Sequence, residues 1–219
     1  MYDAVVPNDL STVKIARGKL RDRPYHHGNL RPALVRAAIA LVEAHGPESL
    51  SLRAVATEAG VSPTAPYSHF KDKRALLAAV AETGFERLRA RMSPDPDAGA
   101  TAEARFLMTG RGYVAFALEE PGLFRLMFSS VLGPLDAFPA LQEKSDAAFA
   151  LFRDCLDAVI DRGGLSRAER STLRASAWAL VHGLATLLVE QRLASGAEGA
   201  PDLIDAVTEL YLRQIARPA

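Results

Sequence analysis

Between Leu50 and Phe70 the chain runs Leu-Ser-Leu-Arg-Ala-Val-Ala-Thr-Glu-Ala-Gly-Val-Ser-Pro-Thr-Ala-Pro-Tyr-Ser-His-Phe. These residue types and spacings predict two short helices crossing at a tight turn. A helix-turn-helix needs a small residue at the crossing, a glycine in the turn and an apolar plug after it. Ala56, Gly60 and Val61 meet those needs in order. Ser62 is placed to cap the second helix, whose first turn would then be free to enter a major groove. Around that turn stand Pro63, Thr64, Ala65, Tyr67, Ser68 and His69, without a large aliphatic on the outer face. The chemistry on offer is hydrogen bonding to a polar surface rather than bond making. A polar helical hairpin inside a bundle has the same spacing, so both readings stand at this point.

A second constellation is aromatic. Phe106, Tyr113, Phe116, Phe124, Phe128, Trp178 and His182 lie on segments of helical periodicity and could converge inside one domain. Trp178 and His182, four residues apart, share a helix face, and Gly183 permits close helix approach. Such a pocket would be apolar with few polar groups, suiting a small hydrophobic or aromatic molecule. Core packing accounts equally for any one of these rings.

No catalytic pattern accompanies them. His26-His27 is an adjacent pair, not the i, i+4 spacing that sets two metal ligands on one helix face. There is no Glu-x-x-His pair, no Gly-rich phosphate loop after a strand and no nucleophile elbow. Cys155 is the sole cysteine, which excludes an internal disulfide and a cysteine metal cluster. Its neighbours Phe152, Leu156 and Val159 suit a buried, inert thiol. The expectation is a protein that is not an enzyme, with no metal and no cofactor.

The elements that must position these residues are all helical. Residues 1–28 show no periodicity and read as a basic flexible tail carrying Lys14, Arg17, Lys19, Arg21 and Arg23. A helix follows the N-cap Asn29, with Leu30, Leu34, Ala37, Ala38, Leu41 and Val42 as its stripe, and stops at Gly46-Pro47. Two short helices flank Gly60, one over 51–59 and one from Ser62 to about Phe70. Asp72 caps a fourth, with Leu76, Leu77, Val80, Phe85 and Leu88 inward. The breaker cluster Pro94–Gly99 divides a domain of residues 29–92 from one of 100–219. Five more helices follow, over about 101–119, from Pro121, 140–162, 166–194 and 202–216, with 132–138 as a loop. Ser166 and Glu169 form a capping box for the fourth of these. The predicted fold is all-α, about nine helices.

The string Ser51–Leu77, together with the helix closing at Glu43-Ala-His-Gly46, resembles the DNA-binding signature of the TetR family of bacterial regulators. Gly60-Val61-Ser62, Tyr67, His69-Phe70 and Lys73 stand at that family's spacing, and the resemblance covers roughly residues 26–91. Pro66 departs from it, where many members have leucine or isoleucine. Trp178, His182 and Gly183 resemble the subgroup whose ligand domain is named for Trp, His and Gly. The resemblance implies a transcriptional repressor, released from double-stranded operator DNA by a small hydrophobic ligand. Thr64 and Ala65, beside Ser62 and Pro63, would meet base edges. Tyr67, His69 and Lys73 would reach phosphates, joined by Ser51 and Arg53 from the preceding helix.

It also implies a homodimer whose last two long helices pair as a four-helix bundle. Between Arg174 and Glu190 apolar side chains occur all round, so that helix must be covered on every side. Leu180, Leu184, Leu187, Leu188, Leu210 and Tyr211 are the expected interface. A dimeric helical interaction module without DNA binding is the alternative. The charge distribution favours DNA: 26 basic residues balance 26 acidic ones, but residues 1–92 hold a basic excess and the remainder an acidic one. Residues 1–20 lack the apolar core of a secretory signal. The longest apolar run, 175–189, falls short of the ~20 residues that span a bilayer. A cytoplasmic protein with no membrane partner is expected.

Overall fold

The computed structural model describes residues 30–93, 101–161, 166–193 and 199–215. The basic tail, the Asn29 cap and the boundary at Pro94–Gly99 lie outside them. Eight α-helices occur among the described residues: α1 Leu30–His45, α2 Leu52–Glu58, α3 Lys73–Met92, α4 Ala102–Glu119, α5 Pro121–Met127, α6 Pro139–Ile160, α7 Arg167–Val189 and α8 Ala200–Ile215. The ninth expected helix, after Ser62, is instead a single 3-10 turn over Ala65–Ser68. Proline is the cause. Pro66 has no N–H to donate to the Ser62 carbonyl, which accepts from Ala65 N at 3.0 Å instead.

The helix starts follow local capping chemistry. Ser51 accepts from Ala54 N, Asp72 from Ala75 N and Thr101 from Ala104 N. Ser166 and Glu169 form both halves of the capping box. Helix α1 buries Leu34, Ala38 and Val42 against α2, α3 and α5. Helix α3 continues from the N-terminal bundle and packs on α4, α5 and α6, while α4 runs through the centre against α6, α7 and α8. One hydrophobic cluster extends from Leu30 to Ile204. Among the described residues, α7 alone is long and apolar enough to cross a membrane by length and composition, and here it packs on α4, α6 and α8.

Two contacts join α1 and α3 to the later helices. The Glu43 carboxylate accepts from Gly122 N at 3.0 Å and Leu123 N at 2.7 Å, capping α5 from across the fold. A Cβ on Gly122 would stand 2.6 Å from the Val42 carbonyl oxygen, so that approach requires glycine. Arg74 donates Nε to the Leu132 carbonyl at 2.7 Å and lies over the Phe138 ring.

Candidate functional site

The turn between α2 and the 3-10 segment is set by Gly60 at φ +67°. A Cβ there would meet nothing within 4 Å, so the glycine is required by the backbone and not by space. Gly60 N returns to the Thr57 carbonyl and Val61 N to the Ala56 carbonyl, satisfying the last turn of α2. The segment that follows stands out from the fold. Ser62, Pro63, Thr64, Ser68 and His69 are exposed, as is Tyr67 at 55%. Ala65 is half-buried, and Pro66 and Phe70 anchor the segment in the core.

Ser62 does not cap this segment as expected. Its hydroxyl shares a 3.2 Å hydrogen bond with that of Thr64, because the shifted start makes Thr64 the residue before the turn. Lys73 Nζ donates to the Glu48 carbonyl at 2.7 Å, tying α3 to the turn before α2. An ammonium has two further donors left. Ser51 is occupied as the α2 cap, and Arg53 is exposed.

Five of the seven expected pocket residues come together. Tyr113 lies edge-on to Trp178 at 5.5 Å and Phe124 at 5.9 Å; Phe128 lies 4.6 Å from His182. Trp178 stacks on His182 at 5.2 Å with an 18° interplanar angle. Phe106 sits apart, tilted against Phe152 at 5.7 Å, and Phe116 is buried. These rings largely fill one another's space. The open volume lies beside them, as an apolar crevice of about 20 Å³ reaching Phe106, Val181, Ile204 and Tyr211 and a wider cleft at Trp178. The expected set omitted Phe149, 4.6 Å from Trp178. Its i, i+3 spacing to Phe152 was the available signal.

Tyr113 is wholly buried, and its hydroxyl lies 2.8 Å from His182 Nδ1. Desolvation pushes the phenol far above its ordinary range, so it stays protonated. Donating that proton to Nδ1 satisfies both groups and leaves the neutral imidazole protonated on Nε2. Desolvation also holds His182 below its usual value. Its folded pKa is thus lower than its unfolded one, about 6.5. The resulting stability is full above about pH 6.5 and is lost as pH falls through the depressed value. Thermal unfolding between about pH 8 and about pH 5 should show that loss, and His182→Gln should remove its part of the slope.

Of the expected interface residues, Leu180, Leu187 and Leu210 are exposed at 40%, 43% and 53%. Leu184 and Leu188 are not on that face: at 8% and 3% exposure they belong to the protomer's own core. Tyr211 is half-buried and ties α8 to α7, its hydroxyl donating to the Leu173 carbonyl at 2.8 Å. A Cβ on Gly183 would meet nothing within 4 Å, so this stretch of α7 is open.

A projecting helix-turn-helix on a larger helical domain with an aromatic interior defines a class of bacterial regulator, and comparison with known proteins agrees. Residues 34–80 match the family model described as bacterial regulatory proteins, tetR family, and residues 106–214 match the tetracyclin repressor-like C-terminal domain. The chain belongs to the TetR family and is a transcriptional regulator. A protein of unknown function from Rhodococcus sp. RHA1 is 34% identical, with a TM-score of 0.76 over 90% of this chain and 100% of that one. The transcriptional regulator FadR of Bacillus subtilis, solved in complex with stearoyl-CoA, shares the fold at 17% identity, TM-score 0.66, covering 83% of this chain and 97% of that one. The tetracycline repressor protein class C of Escherichia coli is 48% identical over 52 residues, and the match spans 24% of each chain.

Proposed function

We propose that the chain binds a near-palindromic duplex operator as a homodimer and represses until a small ligand in the C-terminal domain releases it. The observation that carries this reading is the exposed, polar Ser62–His69 segment held out by a buried Phe70 and Pro66. In it, Thr64 and Ala65 read base edges with Ser62 and Pro63 beside them. Tyr67, His69, Lys73, Ser51 and Arg53 hold phosphates. Tyr67, exposed at 55%, is free to reach a phosphate, which a core aromatic could not do. The two-fold contact uses Leu180, Leu187 and Leu210 on α7 and α8, the large apolar side chains that these helices leave most exposed in the protomer.

The test is an electrophoretic shift against the duplex upstream of the chain's own reading frame. Affinity should fall steeply with salt, with a log–log slope of about −0.9 for each phosphate neutralised. Equal affinity for random DNA, or a flat salt response, would remove the reading. Tyr67→Ala should weaken all duplexes about equally. Thr64→Ala should change base preference, each lost base contact costing roughly 1–3 kcal/mol. An unchanged preferred sequence would show that another residue reads that base.

A further inference from the structure

We propose that Arg74 sets the half-site spacing this protein accepts, as a positioning residue that holds the reading head on the ligand domain and not as a phosphate contact. The proposal rests on the operator reading above and names the residue behind one feature of that operator. The cationic string Lys71-Asp72-Lys73-Arg74 follows directly on the exposed segment, and its three cations have three different surroundings. Lys71 is exposed. Lys73 donates to the Glu48 carbonyl, inside the head. Arg74 instead reaches the ligand domain. Its Nε donates to the Leu132 carbonyl at 2.7 Å, and its guanidinium lies over the Phe138 ring, 5.0 Å from the centroid.

The receiving segment is shaped for it. Leu132 is buried at the end of a 3-10 turn over Ser130–Leu132, and Gly133 follows at φ +66°. A Cβ on Gly133 would stand 2.6 Å from Arg74 Nη2, so the glycine leaves the guanidinium its place. Stability alone does not account for an arginine here. Nη2 is buried with no hydrogen-bond partner, and no carboxylate forms an ion pair with Arg74 among the described residues. An unmade buried hydrogen bond is costly, and an apolar side chain of similar length would avoid that cost. What arginine adds is direction: a planar fork bonded at its edge and stacked on its face allows few poses.

Glu43 already ties α1 to the start of α5. One tether leaves a body free to pivot about it, and a second on another helix takes most of that freedom away. With Arg74 seated, each head keeps one orientation on its own ligand domain, and the dimer axis then fixes the distance between heads. Half-site spacing mirrors that distance. One inserted base pair moves a half-site by about 3.4 Å and turns it by about 35°.

The experiment takes the half-sites defined in the upstream duplex, at native separation and with one base pair inserted or removed between them. Affinity and salt slope are measured for the full chain, Arg74→Gln and Arg74→Lys, with folding checked by circular dichroism. The unaltered chain should favour one spacing by about tenfold or more, and both variants by about threefold or less. Affinity for a single half-site and the salt slope should not change. Phe138→Leu, which removes the ring beneath the guanidinium and leaves α3 untouched, should relax spacing in the same direction and decides the matter if the Arg74 variants do not fold. Spacing preference retained in Arg74→Gln, or restored by Arg74→Lys, overturns the proposal. So does a salt slope reduced by about 0.9 in Arg74→Gln, the mark of a lost phosphate contact. An unaltered chain that binds the duplex with no preferred spacing also overturns it while leaving DNA binding intact. One that binds no palindrome removes the operator reading itself, and this role with it.

Discussion

Leu184→Glu is expected to unfold the protomer, whereas Leu187→Glu and Leu210→Glu should give folded monomers. All three leucines lie on the two helices assigned to the subunit contact, and what separates them is which side the chain already covers. Leu184 is 8% exposed, against 43% and 53% for the other two. A carboxylate forced into its place is an uncompensated buried ion, costing about 3–5 kcal/mol. The lost leucine burial adds about 1.5–3 kcal/mol. Together these rival the whole stability of a typical domain, about 5–15 kcal/mol. At Leu187 and Leu210 the carboxylate stays in water until a second subunit covers it, so the cost falls on association alone. Circular dichroism melts and sedimentation separate the cases. Folded, dimeric Leu187→Glu and Leu210→Glu proteins would place the subunit contact on another face.

Gly112→Ala should be the most damaging single-methyl change, lowering stability by about 3 kcal/mol or more. Its added Cβ would fall onto the Arg91 carbonyl and 2.8 Å from the Met92 Cα. Both are backbone atoms of α3, and neither can swing aside as a side chain could. Helices α3 and α4 would have to separate along their contact, opening the core around Leu88 and Tyr113. The unfolding midpoint should fall by roughly 10 °C. Gly110→Ala, two residues earlier on α4, is the control. Its Cβ would meet Ile204 and Thr208 side-chain atoms no closer than 3.7 Å. The helix-propensity gain of up to about 1 kcal/mol should then dominate. Equal losses at the two positions would mean that the close approach at Gly112 is relieved at little cost.

What was legible in the sequence was local. The Asp72 cap, the Ser166–Glu169 box and the Gly60 turn each depend on residues within four positions, and each is found where spacing predicts it. Helical order and type follow from apolar periodicity and breakers for the same reason. Hidden from that reading were choices made by distant parts of the chain. An α7 apolar on every side cannot declare which side its own domain will cover, so spacing alone groups Leu184 and Leu188 with Leu180 and Leu187. Glu43 capping α5 and Arg74 reaching Leu132 join residues far apart in sequence, and no spacing rule foretells them. Pro66 is visible in the sequence, but its effect depends on where the segment begins. Its missing N–H converts the segment to a 3-10 turn.

That conversion bears on how the protein would spend its binding energy on DNA. An α-helical reading element holds its shape through a ladder of backbone hydrogen bonds, whereas a turn as short as Ala65–Ser68 has few. Here two pyrrolidine rings, at Pro63 and Pro66, fix φ on either side of Thr64 and Ala65 covalently. The segment is stiff before any partner arrives, so docking on DNA as proposed would freeze out less backbone motion and leave more of each contact as affinity. The same stiffness narrows repertoire. If this segment reads the operator as proposed, it could not follow a degenerate site by adjusting its backbone, and discrimination between similar operators would rest on a few side chains and on the DNA's own deformability.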